Sequence, residues 1–451
     1  THCISSAASD VYKRQDKKGV GVFNHNGPAV ATGRDVWVNN FSNSQLDDNI
    51  NCLINNYNAQ CREFQTIKSQ EKALSVESFI DTDTTKVSWT RSLRNFLSRG
   101  TLLKFERERL MECSYRPFCV TNLYYSPSLI ESPGQCKDLF PLNTDRIILC
   151  VNGKGSNKDA STIVTHYIPD YQLQFNCQFY PLYWYEENKN PQATLFDDAE
   201  TDKYIRRDGI TDWILKEVRS RFGGSKAITK EHIFYYVYGL LHSKQYRERF
   251  ADDLKKSLPR IPIVDSVQDF MSFYKSGKEL ADLHLNYEQS INEQAVGRDG
   301  DYLFFAAMPM IAHRACGVRV NGDMDIWQNN WTNETYQYFA VDKMRFAKIR
   351  DENGKLVADK ARIIYNDHIT IENIPLKAYE YVVNGKSAIE WIMERYAITI
   401  DKASQIKNNP NDWSREHEQP RYILDLLLSI IMLSCQTVDI VNTLPNLKFD
   451  L

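Results

Sequence analysis

The chain has 451 residues, 42% hydrophobic and 25% charged, the proportions of an ordinary globular protein with material for two or three domains. A formal net charge of −3 excludes a polycation, so any nucleic-acid contact must come from local patches. Ten cysteines form no CxxC pair and no Cys/His cluster at zinc spacing, which leaves reduced, mostly buried thiols of a cytoplasmic protein as the expectation.

The opening stretch SSAASDVYKRQ, Ser5 to Gln15, has neither the apolar run of a secretory signal nor the Arg-rich amphipathy of a mitochondrial presequence. Its residues can be written in the codons of a transposase-type sequencing adapter read in frame. Residues 1–15 are therefore expected to be a translated scar, with the polypeptide cut upstream of Asp16. Next, TGRDVWVNNFS (Thr32–Ser42) reads as strand and loop. Leu46, Ile50, Leu53, Ile54, Tyr57 and Cys61 then recur at helical spacing, with Ser44 as the expected cap. A polar connector near residue 80 marks a first boundary.

WTRSLRNFLSRG predicts a short helix with Trp89, Leu93, Phe96 and Leu97 on one face, Arg91 and Arg94 on the other, and Gly100 as its stop. Residues 115–186 are rich in β-branched and aromatic residues broken by Pro, Gly and Asn, the pattern of strands. VNGKGSNKD (Val151–Asp159) is a Gly-rich turn between two of them. The acidic stretch 186–202 marks a second boundary. Helical patterns follow at DWILKEVRSRFG, at a long segment from the Thr229 cap to Pro259, and at VQDFMSFYKSGKELADLHL. Residues 291–336 lack a clear pattern and read as an insertion. Asn353-Gly354 predicts a β-hairpin, Ser387 with Glu390 a capping box, and YILDLLLSIIMLSC a buried core helix too short to span a bilayer.

Catalytic chemistry is hard to assemble. No P-loop is present. NNPNDW (Asn408–Trp413) is only a distant echo of the Asn-Pro-Pro-aromatic box of amino-methyltransferases and is expected to be a turn. His242, His284 and His368 lack a Ser or Cys partner and are assigned to ordinary hydrogen bonding; Asp252-Asp253 is assigned to a solvated helix face. No catalytic, cofactor or metal residue is nominated. The distinctive feature is a basic window. Residues 86–116 hold eight Lys and Arg against three Glu. Arg91, Arg94, Arg99, Arg107, Arg109 and Arg116, with Lys154 and Lys158 of the Gly-rich turn, are the candidates for phosphate or guanine contact. A solvated surface would carry the same charges. Lys343, Arg345, Lys348 and Arg350 form a second, weaker set on the expected hairpin.

TGRDVWVNNFS, WTRSLRNFLSRG, YRPF and IPDYQLQFNCQFYPLYWYE are similar to segments of the C-terminal specificity region of type ISP, single-polypeptide, restriction-modification enzymes. So are the long motif at 228–264 and the stretch from Tyr365 to Trp413. The resemblance implies an α+β fold. The tail of a methyltransferase domain would occupy 16–85, a β-rich target-recognition domain 86–205, and a mostly helical region with a β-hairpin 206–451. It further implies recognition of double-stranded DNA, and upstream nuclease, helicase-like and adenine-N6 methyltransferase domains of the same polypeptide. S-adenosylmethionine, ATP and Mg would belong to those upstream parts, and none to this segment. The alternative is a coupling scaffold that docks on the motor or the methyltransferase and touches DNA little. Methylation would protect a site, and its absence would license translocation and cleavage.

Overall fold

The computed structural model describes residues 21–141, 144–188, 203–288, 317–322 and 333–447. The expected scar at 1–15 lies outside them, as do most of 186–202 and of 291–336. After strand β1 (Gly27–Pro28), the expected strand at 32–42 is mostly a helical turn, Asp35–Val38, and only β2 (Asn39–Asn40) is extended. Helix α1 (Asn43–Gln70) buries Leu46, Ile50, Leu53, Ile54, Tyr57, Cys61 and Phe64 on one face. Its cap is Ser42, not Ser44. Ser42 is extended and its hydroxyl accepts the Gln45 amide at 2.9 Å, while Ser44 donates its hydroxyl to Glu416 at 2.8 Å.

Helix α2 (Arg91–Ser98), capped by Thr90, buries Leu93 and Leu97 against α1. Gly100 ends it at φ +70°, a left-handed conformation that glycine adopts freely. The chain then runs back along α1. Tyr57 donates to the Thr101 carbonyl, and the Asn58 side chain bonds the Leu103 carbonyl and amide, each at 2.8 Å.

The β-rich part follows as β3 (Leu110–Arg116), β4 (Cys119–Tyr124), β5 (Ile148–Val151), β6 (Thr162–Thr165), β7 (Ile168–Pro169), β8 (Gln178–Pro181), β9 (Tyr183–Glu187) and β10 (Tyr204–Asp208). These strands form sheets of order β2-β4-β3-β7 and β1-β8-β5-β6, and the hairpin β9-β10. The second sheet divides two hydrophobic cores. Ile148 and Cys150 of β5 face one core and Leu149 and Val151 the other, and Ile163 and Val164 of β6 split likewise. Period-two alternation with both faces buried makes β5 an unbroken apolar run.

Helices α3 (Asp212–Arg221), α4 (Lys230–His242), α5 (Lys244–Arg249), α6 (Ala251–Lys256) and α7 (Val267–Leu285) build the second core. The long helix expected from Thr229 is therefore three helices. Ser243 leaves helical geometry and its hydroxyl accepts the Tyr246 amide at 3.3 Å, starting α5 as a cap. Helices α4 and α7 cross with backbone almost in contact: a Cβ on Gly277 would lie 1.9 Å from the Tyr235 carbonyl oxygen, and one on Gly239 2.3 Å from that of Phe273. Gly277→Ala gains about 1 kcal/mol in helix propensity but forces the helices apart at about 1–3 kcal/mol or more. A lowered midpoint in calorimetric unfolding is the expected result, and an unchanged or raised one contradicts the close crossing.

Strand β11 (Arg319–Asn321), from the stretch read as an insertion, joins β12 (Arg345–Arg350), β13 (Leu356–Ile364) and β14 (Thr370–Glu372) in the order β11-β14-β13-β12. The expected hairpin is β12–β13, with Gly354 at φ +74° in its turn. A second hairpin, β15 (Val382–Val383) and β16 (Lys386–Ser387), turns at Asn384-Gly385, both at positive φ. Helix α8 (Ala388–Arg395) has the expected capping box. NNPNDW is not a turn but the start of α9 (Pro410–Glu416), where the Asn409 side chain accepts the Asn411 amide and Pro410 takes the first helical position. Helix α10 (Tyr422–Asn442) is long and apolar enough to cross a membrane, and 83% of its most apolar window is buried inside this fold.

The fold is α+β, with a helical C-terminal region. The divisions expected near 85 and 205 do not part its cores. β2 pairs with β4 across the first, the second core joins β5 and β6 to α3–α7 across the second, and the first core runs from Ala29 to Val438.

Candidate nucleic-acid interface

The basic window is one patch in sequence and two places in space. Gly100 packs on Gln65 of α1, whose side chain also donates to the Leu97 carbonyl at 2.9 Å, so Arg99 sits near the C-terminal end of that helix, while Trp89 packs on Tyr57 and sets the start of α2 beside its middle. Arg107 sits near its other end, close enough to hold the Asp47 carboxyl down against the rise that burial imposes. Gln65 and Asp47 are 18 residues apart on a helix rising about 1.5 Å per residue, roughly 27 Å. Arg99 and Arg107 cannot meet one phosphate.

Neighbouring charges divide the candidates further. Arg91 and Arg99 are exposed and make no ion pair among the described residues. Arg94 is half-buried, its Nε enclosed without a hydrogen-bond partner. Arg109 is held by Glu106. Arg116 departs most from the expectation: its Nη1 lies 2.7 Å from Asp170 and its Nη2 3.2 Å from Asp35, with the guanidinium 3.8 Å above the Tyr115 ring. Only 12% of its side chain is exposed. It joins β3 to the loop after β7 and to the turn before β2, and it has no face left for a phosphate.

The start of α2 holds a residue that the sequence did not single out. Arg34 is buried beneath it and donates to the Thr90 hydroxyl, and burial draws its pKa down to about 10 against the pull of Glu131. The Glu131 carboxylate accepts the Ser92 amide at 3.4 Å, so the helix N-terminus already carries an anion. External phosphates can meet α2 only through its outward side chains.

Lys154 and Lys158 lie exposed on the β5–β6 turn. Asn152 braces this turn by accepting the Ser161 amide at 2.9 Å, and Ser156 accepts the Lys158 amide at 3.1 Å. Two distant segments dock there. The Gly155 amide donates to the Lys255 carbonyl at 2.9 Å, and the Asn384 amide donates to the Ser161 hydroxyl at 2.9 Å. The Lys158 stem lies across Gly385, where a Cβ would stand 2.9 Å from its Cδ. Lys255 and Lys256 at the end of α6 thereby join Lys154 and Lys158. The Asn384-Gly385 pair was a readable hairpin signal; nothing in the sequence paired that hairpin with residue 158.

Among the described residues no group of His, Cys, Asp and Glu could hold a metal. His242 and His284 are internal: His284 bonds the Tyr238 hydroxyl at 2.6 Å and Thr437 at 2.9 Å, and His242 bonds the Tyr238 carbonyl at 2.9 Å. His368 is exposed and stacks on Tyr338.

The family profile of the type ISP C-terminal specificity domain matches residues 21–426. A search of curated proteins finds no match. Among solved structures, the chain is similar to a nuclease-deletion mutant of the type ISP restriction-modification enzyme LlaGI in complex with a DNA substrate mimic. The identity is 30% and the TM-score 0.72, over 96% of this chain and 34% of that one. It is similar to the ATP-dependent type ISP enzyme LlaBIII bound to DNA, at 31% identity and a TM-score of 0.73, over 96% of this chain and 24% of that one. The DrdV–DNA complex shares the fold at 24% identity and a TM-score of 0.71, over 95% of this chain and 36% of that one. The chain thus spans only about a quarter to a third of the length of these structures.

Proposed function

Because the chain belongs to the type ISP C-terminal specificity domain family, we propose that it is the DNA-reading part of a type ISP restriction-modification enzyme and binds duplex DNA of defined sequence. The family match over residues 21–426 carries this reading. The two relatives at 30% identity or above, described with DNA, support it, as do the exposed cations of α2 and of the β5–β6 turn. Arg91, Arg99, Lys154 and Lys158 grip phosphates; Arg94, Arg107 and Arg109 flank them in tighter surroundings; Arg116 holds the fold. The nuclease, helicase-like and adenine-N6 methyltransferase activities, with their ATP, Mg and S-adenosylmethionine, belong to further domains of the polypeptide, and the enzyme works in the cytoplasm where its DNA is.

Selection from random duplexes tests the reading. One short motif is enriched, and retention falls steeply as salt rises. A chain that retains no duplex at low salt overturns it and leaves the coupling scaffold. The cations are tested separately. Arg91→Ala with Arg99→Ala weakens all duplexes evenly and lowers the slope of log affinity against log salt by about 1 for each phosphate no longer neutralised. Lys154→Ala with Lys158→Ala behaves the same way. A changed motif in either pair would move those residues from phosphate to base contact.

A further inference from the structure

The β12–β13 ribbon leaves the body of the protein. At its base Arg345 pairs with Ile364 and Phe346 with Ile363; a bulge between Phe346 and Ala347 then shifts the register to Ala347–Asp359. β14 pairs with β13 only at Ile363 and Ile364, so beyond the bulge the ribbon has two strands and no neighbour in its sheet. Bulges re-aim strands in this way. Past Ala347 neither face is covered. Lys348, Arg350, Leu356 and Ala358 share one exposed face, and Ile349 lies on the other with the half-buried Val357. Ile349 and Leu356 are 52% and 54% exposed.

The charge of this arm is one-sided. Residues 345–364 hold six Lys and Arg against three Asp and Glu, in a chain of net charge −3. Two of the three carboxylates are engaged by the arm itself: Asp351 accepts the Asn353 and Lys355 amides, and Asp359 accepts the Ala361 amide and lies 3.6 Å from Arg362. Arg350 spends one Nη1–H on the Gly354 carbonyl, at 2.7 Å, which fixes the side chain alongside the turn; a guanidinium has five such donors. Lys348 makes no ion pair among the described residues.

We propose that this arm enters the major groove of the bound duplex and reads base edges with Lys348 and Arg350, while Ile349 and Leu356 meet apolar surface there. The proposal rests on the reading of the chain as a DNA-binding module and names the element that sets sequence preference. A two-stranded ribbon fits a major groove about 8.5 Å deep. The three residues from Lys348 to Arg350 extend about 10 Å at about 3.4 Å per residue, before the turn is counted. Lysine and arginine suit the N7 and O6 acceptors of guanine, and exposed aliphatic side chains suit the thymine methyl.

The test compares the full chain with its Lys348→Ala/Arg350→Ala variant in selection from random duplexes, followed by titration of the enriched site. The variant keeps the parent's melting midpoint, because neither side chain supports the core. It loses about 10- to 100-fold in affinity for the parent's motif, with preference relaxed at adjacent positions while the others stay selective. An even loss on all duplexes with the motif intact overturns base reading by the arm. Unchanged affinity and motif overturn the arm's contact with DNA altogether, and leave the wider reading standing on the Arg91 and Lys154 groups. A parent chain that enriches no motif removes both.

Discussion

Arg116→Ala destabilises the fold by about 3–5 kcal/mol, the range for removing one partner of a buried ion pair. Asp170, whose side chain is 3% exposed, then has no cation within reach, and the Gln172 amide, 2.7 Å away, is too weak a replacement. Asp35, at 32% exposure, can turn to water and adds less. The arginine also loses its place over the Tyr115 ring. Urea unfolding of Arg116→Ala and of the double variant Arg116→Met with Asp170→Asn checks the argument. The double change is much milder than Arg116→Ala, because no charge is left buried. Arg116→Ala losing as little as a surface substitution, about 0.5 kcal/mol, would return the residue to the DNA-contact candidates. The double variant is also expected to keep the parent's salt slope in DNA binding, since the Arg116 guanidinium is engaged by Asp170, Asp35 and the Tyr115 ring.

Acidification is the second large effect. Burial among apolar and aromatic neighbours, with the Arg247 guanidinium nearby, holds His242 well below its ordinary value and draws His284 down to about 3. Both are neutral in the fold and titrate near 6.5 when unfolded. Below that value the unfolded chain binds more protons, so the stability present above pH 6.5 drains away as pH falls toward about 3. By pH 5 the loss through His284 is roughly 2 kcal/mol, from 1.36 kcal/mol per unit; His242 acts in the same direction. The buried carboxyls of Glu288 and Asp425 are raised and act in the opposite direction, so the measurement is a difference. Urea midpoints at pH 7 and pH 5 are compared for the parent and His284→Gln. The variant loses roughly 2 kcal/mol less between them; equal losses would mean that His284 is already solvated in the folded chain.

Local periodicity was enough for most of the helices. The apolar spacing of α1, the Ser387–Glu390 box of α8, and the bounds of α3 and α7 all depend on contacts within a few residues. Where a local cue had a local competitor, the sequence misled. Ser243 sat inside a continuous helical pattern and broke it as a cap, and Pro410 was read as a turn although its first-turn position favours a helix. The β-branched apolar run of β5 declared a strand, but not that both its faces would be buried under different cores.

The sequence by itself determined the fold class, the Asn353-Gly354 hairpin, and the motifs that carry the family resemblance, because each lies in residue types at short spacing. Which cations are free is a different kind of fact. Arg91, Arg99 and Arg116 look alike in a charge count, yet two face solvent and the third closes a buried triad with residues 81 and 54 positions away. Lys158 met the Asn384-Gly385 turn only through folding, and the β12–β13 ribbon became an arm only because β14 stops short of its tip. A charge's meaning is set by what lies within a few ångströms of it, because Coulomb energy and desolvation both change most steeply there, and those neighbours are brought in by the tertiary structure.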